Sequence, residues 1–307
     1  MWTYAFRRLL ATIPILLAVI TICYVLLHIT PGGPFDSERK VSAAVLANLQ
    51  AKYHLDLPLW QQYLYYLKSL LHGDLGASFR YADWSVNELV GKALPISATI
   101  GGGSILFALL IGSVLGIVAA LRQNSPIDYL MMLLCSIGSA LPSFVLGPLL
   151  VLIFSIWLKL LPAGGWNDFD FHHMILPMLL LILINIATVG RVMRGSLIEV
   201  LNSNFIRTAR AKGLPMRTIL LRHALRPALI PVISVLAPLT IASITAAVVT
   251  ETVFGLPGLG KLIANGAANR DYTLVLGLVV LITVATVIFN LLVDLAYALL
   301  DPKIRYA

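Results

Sequence analysis

Charge is scarce in this chain of 307 residues: only 12% are Asp, Glu, Lys or Arg, while 59% are apolar. Soluble domains carry roughly twice that charged fraction. A water-soluble fold cannot cover so much apolar surface, so a soluble enzyme is excluded. Disorder is excluded as well, because disordered chains are poor in apolar residues. Cysteine is nearly absent. Cys23 and Cys135 both sit inside apolar runs, which argues for small core residues rather than a disulfide framework or a thiolate metal site.

Catalytic patterns are missing too. There is no His-Glu-x-x-His, no Cys pair at metal spacing and no Gly-x-Ser-x-Gly elbow. The adjacent pair His172-His173 reads as interfacial rather than metal-binding. Gly255-Leu256-Pro257-Gly258-Leu259-Gly260-Lys261 imitates the start of a phosphate loop, but Leu262 follows where Ser or Thr must supply the Mg²⁺ hydroxyl. That stretch reads instead as a Gly/Pro-shaped turn capping an apolar run. The interiors of the apolar runs hold no charge, which argues against the buried relay of an ion-driven transporter. Glu251 and Asp294 fall just beyond such runs, as interfacial or ion-paired groups.

What the chain does have is six long uncharged runs, at 9–29, 94–121, 129–158, 174–190, 228–250 and 272–293. A bilayer core takes about 20 residues of helix. The run at 129–158 is too long for one straight span, and Pro142 and Pro148 place a kink in it. The run at 174–190 is the shortest and carries Asn185. Arg7 and Arg8 precede the first run, but it is longer than a signal h-region and no small-x-small cleavage site follows, so it reads as an uncleaved span. The expected fold is an all-α, polytopic membrane protein of six transmembrane helices with both termini cytoplasmic.

The net charge of +8 follows that layout. With the N-terminus inside, the inside loops sum to +10, the outside loops to −1, and Asp294 supplies the remaining −1. This is the positive-inside bias, so the basic excess reports topology rather than nucleic acid. Three parts result: residues 1–29 as tail and first span, 30–93 as an external cap, and 94–307 as a five-helix core. Within the cap, 41–53 and 60–71 look helical and amphipathic; they either pack over helix ends or dock an external partner.

The segment 191–227 carries eight basic residues and one acidic one. Residues 199–212 can form a helix, Gly213 suits a left-handed helix end, and Pro215 suits the first turn of the next helix. Small residues around the turn allow close approach of another backbone, and Arg207, Arg210 and Lys212 supply charge. The competing reading is a basic amphipathic stretch lying on anionic lipid.

Asn204-Phe205-Ile206-Arg207-Thr208-Ala209-Arg210-Ala211-Lys212-Gly213-Leu214-Pro215, followed by Arg222-His223-Ala224-Leu225-Arg226-Pro227, resembles the coupling loop of ABC importer permeases in the oligopeptide/dipeptide/nickel branch. Arg207-Thr208-Ala209 stands in that family's Glu-Ala-Ala slot, the form this branch normally shows. The resemblance runs end to end: Pro31-Gly32-Gly33-Pro34, Gly73-Asp74-Leu75-Gly76, Glu251-Thr252-Val253-Phe254-Gly255 and Asn269-Arg270-Asp271-Tyr272 all fit. Residues 35–40 and 161–167 look most like the oligopeptide B-type permeases.

The resemblance implies a non-catalytic translocation subunit of the bacterial cytoplasmic membrane. Its implied partners are a second permease, two cytoplasmic ATPases carrying ATP and Mg²⁺, an external peptide-binding protein and a peptide substrate. No cofactor is expected in this chain. The implied coupling residues are Arg207, Thr208, Ala209, Arg210, Ala211, Lys212, Gly213, Leu214 and Pro215. Ser139, Asn185, Thr188 and Asn290 are polar within apolar runs; they either line the substrate pathway or form interhelical hydrogen bonds.

Overall fold

The computed structural model describes residues 2–29, 56–81 and 83–300. The amphipathic stretch at 41–53 lies outside those residues. The described chain is helical, with one isolated antiparallel bridge between Ala77 and Ser85. The helices are α1 (Trp2–Ile29), α2 (Leu59–Leu71), α3 (Val86–Leu121), α4 (Pro126–Ala140), α5 (Ser143–Leu150), α6 (Phe171–Leu201), α7 (Asn204–Ala211), α8 (Leu225–Ser234), α9 (Leu236–Val253), α10 (Leu259–Ala268) and α11 (Tyr272–Leu300). Five of these contain stretches long and apolar enough to cross a membrane, and the pair α4–α5 makes a sixth candidate.

Proline decides where the long runs break. At 129–158 the expected kink is a bend of 105° between α4 and the helix that follows. Pro142 excludes the helical conformation from Leu141, which is extended at φ −118°, ψ 141°. Pro148 stays inside α5, which continues as a π-helix over Val151–Trp157. The run at 228–250, expected as one helix, is divided at Val235 into α8 and α9. Pro238 cannot donate to the Ser234 carbonyl and its ring clashes there, which interrupts the ladder. The shortest run becomes a helix of 31 residues, because α6 continues through Arg191, Arg194 and Glu199. Asp170 caps its start, accepting from the His172 amide at 3.3 Å and lying 3.0 Å from His173 Nδ1. Those hydrogen bonds, the His173 one first, hold the Asp170 carboxyl below its ordinary range.

The chain divides into two compact units. The larger comprises Ile96–Gly260 and, among the described residues, 286–300. Its helices approach closely through glycine. A Cβ at Gly138 on α4 would lie 2.0 Å from the Leu183 carbonyl oxygen, and one at Gly116 on α3 would lie 2.6 Å from the Gly190 oxygen on α6. Gly112 and Gly116 together therefore form a small-residue face against α6. One core cluster runs from Met193, Leu197 and Leu201 on α6 through Ile206 and Ala209 on α7 to Ile219, Ala224 and Val232. A second joins Leu146 and Leu150 to Leu176, Leu180, Phe254 and Leu256.

The smaller unit comprises Trp2–Pro95 and Lys261–Ala285. Here α2 packs against α1: the Thr21 and Tyr63 hydroxyls are 2.7 Å apart, and Tyr24 donates to the Leu59 carbonyl at 3.0 Å. Asp271, fully buried at the start of α11, takes hydrogen bonds from the Ser78 hydroxyl and from the amides of Phe79 (3.1 Å) and Leu274 (3.2 Å). This is helix capping across almost two hundred residues of sequence.

Candidate functional site

The basic segment is built around α7. The expected continuous helix over 199–212 is broken at Asn202–Ser203, where Ser203 is extended at φ −71°, ψ 157°. Both side chains fold back on the preceding turn: Asn202 donates to the Ile198 carbonyl at 3.0 Å and Ser203 to that of Val200 at 2.6 Å. Such local bonds compete with the helical ladder and end it.

Beyond the break, α7 turns two residues inward. Ile206 and Ala209, one helical step apart, are buried in the core cluster shared with α6 and the Ile219–Val232 stretch. Arg207, Thr208, Arg210, Ala211, Lys212, Gly213 and Pro215 are exposed, and Leu214 is half-buried. Ala209 is therefore small to fit its own core; close approach by another chain is open at Ala211 and Gly213 instead.

The turn has the geometry read from the sequence, with one shift. Gly213 is left-handed at φ +74°. Its amide donates to the Arg210 carbonyl at 2.9 Å, and the Leu214 amide donates to that of Ala209 at 3.3 Å. This pair of bonds is the Schellman ending, which satisfies carbonyls that a helix end would otherwise leave open. A Cβ at Gly213 would meet nothing within 4 Å, so glycine is required there by backbone conformation and not by crowding within the chain. Pro215 caps the next helical turn, Met216–Thr218, from just outside it at ψ 149°. That turn passes through a π-helix at Ile219–Ala224 into α8.

The apolar side chains that project nearest the turn are Phe205, 50% exposed, and Met216, 44% exposed; Leu221 is exposed further along the segment. None of them was singled out by charge or turn pattern. The signal that finds Phe205 is its phase, off the Ile206–Ala209 stripe on a helix otherwise polar outside.

Charge fixes the neighbouring helix ends. Arg194 on α6 holds Asp128 on α4 by two hydrogen bonds of 2.6 Å, Nε to Oδ1 and Nη2 to Oδ2. The Asn124 amide adds a third at 2.9 Å. Elsewhere in the same unit Glu251, 1% exposed, sits in a glycine-lined cradle. The Ser97 hydroxyl donates to it at 2.5 Å and accepts from the Leu259 amide at 2.8 Å. A Cβ at Gly258 would fall 2.3 Å from the Glu251 carboxyl carbon. The glycine-rich stretch thus shapes a turn around a buried carboxylate, as the rejection of a phosphate loop implied.

The four polar residues of the apolar runs do different things. Asn185 is 2% exposed and donates to the Ser243 hydroxyl at 2.9 Å, an interhelical bond. Ser139 is exposed and bonds back to the Ser136 carbonyl at 3.1 Å. Thr188 is half-buried. Asn290 is half-buried with its Oδ1 covered and unbonded among the described residues. Of these, Asn185 is closed off from any open surface in this conformation.

Comparison with known proteins places this arrangement. The family profile described as the binding-protein-dependent transport system inner membrane component matches residues 112–306, and that of its N-terminal part matches residues 1–91. The chain is 52% identical over 306 residues to the oligopeptide transport system permease protein OppB of Haemophilus influenzae, covering 100% of both. The same identity and coverage hold for OppB of Escherichia coli K12. Identity to the dipeptide transport system permease protein DppB of Bacillus subtilis is 42% over 302 residues, covering 98% of this chain and 97% of that one. With matches spanning both halves and apolar helices throughout, the chain belongs to the inner membrane components of binding-protein-dependent transport systems.

Proposed function

We propose that this chain is the translocation subunit of an ATP-driven oligopeptide importer and that residues 207–215 receive the ATPase stroke. It is a non-catalytic, multi-pass inner membrane permease. The oligopeptide assignment rests on one observation: 52% identity without gaps in coverage to permeases named for oligopeptide transport. Fuel chemistry belongs to the partners, two ATPases binding ATP and Mg²⁺.

The coupling reading is supported by how α7 is held. Ile206 and Ala209 root it in the same core as Met193, Leu197, Ala224 and Val232. Displacement of α7 therefore moves α6 and α8 with it, because packed interiors transmit strain rather than absorb it. Arg194 carries the movement to Asp128 and so to α4. A second permease completes the pathway, an external binding protein delivers the peptide, and the cavity alternates between its two openings.

The test is purification in mild detergent with its partners. The expected result is recovery of two ATPase subunits, with Ala211→Cys forming a crosslink to one of them. Absence of any ATPase overturns the reading. Substrate class is tested by competing uptake with peptides of graded length. The 42% match to a dipeptide permease makes dipeptides the second reading, and uptake blocked by dipeptides alone selects it.

A further inference from the structure

Beside the coupling segment, and sharing Arg210 with it, lies a cleft of about 420 Å³. That volume is within the ~300–1,000 Å³ of small-molecule sites. Its wall is two-sided. Leu121 and Ile198, from the last turns of α3 and α6, give it an aliphatic side. Arg122, Gln123, Ser125 and Arg210 give it a polar one.

Among the described residues neither guanidinium group forms an ion pair. The nearest buried carboxylate, Asp128, is engaged at both oxygens by Arg194. Arg122 pairs with no carboxylate among the described residues. Arg210 touches the Leu201 carbonyl through one Nη at 3.4 Å, leaving its other N–H groups for a ligand. A fork of fixed N–H donors suits an oxyanion, and two of them suit a phosphoryl group.

We infer that this cleft binds the phosphate headgroup of an anionic phospholipid. The aliphatic wall decides between ligands of like charge. Leu121 is the last residue of the apolar run on α3, so on that side the cleft opens where hydrocarbon gives way to headgroup, while Ile198 lies beyond the apolar run of α6. A glycerophosphate covers both walls at once, with phosphate on the arginines and the upper acyl chain on the leucine side. A free phosphate leaves the apolar wall wet. Basic pockets at the ends of membrane helices are the usual form of such recognition. A bound headgroup would bridge the end of α3 to Arg210 on α7, so lipid occupancy would stiffen the coupling helix against its own bundle.

The full chain, in complex with whatever subunits co-purify, is titrated with phosphatidylglycerol or phosphatidylcholine and read by native mass spectrometry. Phosphatidylglycerol is expected to remain bound where phosphatidylcholine is lost. Arg122→Gln should lower its retention about five-fold, near the worth of one basic residue at a lipid surface, and Arg122→Lys, which keeps the charge but not the fork, should restore part of it. Arg122 lies outside the coupling residues, and the elution volume of each variant checks that the fold survives. Equal retention of both lipids overturns the site, as does unchanged retention in Arg122→Gln. Displacement by millimolar inorganic phosphate would mark a phosphate site rather than a lipid one. A crosslink from Arg122→Cys to an ATPase subunit would assign the cleft to a protein partner. Lipid retention is read on the chain itself, so this result is separate from whether residues 207–215 couple.

Discussion

Asp128 and Glu251 are both sealed from solvent, at 2% and 1% exposure, yet they are accommodated by different means. Asp128 is met by charge: a bidentate guanidinium and an amide fill its oxygens. Around Glu251 the packing is tight: a serine hydroxyl lies at 2.5 Å, and Gly258 and Gly260 leave the carboxylate its space. The first junction joins helix ends beside the basic segment; the second closes a turn after α9. A charge-held junction fails when charge is removed, and a shape-held one fails when volume is added.

Arg194→Met should therefore be the most damaging of these changes. It keeps much of the side-chain volume but leaves Asp128 buried with one amide donor. Breaking a buried pair from one side costs about 3 kcal/mol. Loss of thermal stability in detergent measures it, and Asp128→Asn placed on Arg194→Met should return part of the loss. No recovery in the double variant would mean that Arg194 acts by packing alone.

Gly258→Ala is the matching test of the shape-held junction. The added methyl falls within 2.5 Å of the Glu251 carboxylate, and overpacking of that kind costs about 1–3 kcal/mol. Shortening the acid with Glu251→Asp should relieve it, whereas removing charge with Glu251→Gln should not. No relief from Glu251→Asp would mean that the methyl is accommodated without displacing the carboxylate.

This contrast also marks what the sequence could and could not display. Span positions were legible because apolar runs are long, and so was the Gly213 turn, because only glycine adopts φ +74° at ease. Breaks were legible only where a proline announces them. Pro142 does so; Pro238 acts on a carbonyl four residues earlier, inside an apolar run of spanning length. The Asn202–Ser203 break depends on two short side chains folding backward, and the helical pattern runs on through it. Asp128–Arg194 and Asp271–Ser78 are pairings over long separations, which no local pattern carries. Asn185 was recognised as out of place among apolar residues, but only its bond to Ser243 tells interhelical contact from a lining role.

Gly213→Val carries the contrast to the turn after α7, which is held by conformation rather than charge or volume. A Cβ there meets no neighbour, so the cost is the left-handed backbone alone, about 1–2 kcal/mol. Gly213→Asn, which tolerates that conformation, should be nearly neutral. If residues 207–215 receive the ATPase stroke, the complex carrying the valine variant should remain in the membrane but hydrolyse ATP without importing peptide. Normal uptake would remove the turn from the coupling path.

Phe205→Ala should have the smallest effect on stability and the most selective effect on function. Half of this ring is open to solvent and it lies off the buried stripe of α7, so truncation should change stability within about 0.5 kcal/mol. A large aromatic projecting from a charged helix is a costly surface unless something covers it, and aromatic anchors dominate the energetics of protein contacts. If the ATPase covers it, the variant should lose co-purifying ATPase while keeping its melting temperature and its lipid retention. If lipid covers it, ATPase recovery should be unchanged. The two buried residues of the same helix supply the contrast: Ile206→Ala should lower stability and ATPase recovery together, because it detaches the helix from its core. Only a split between the two measurements at residue 205, absent at residue 206, identifies the outer face of α7 as a docking surface.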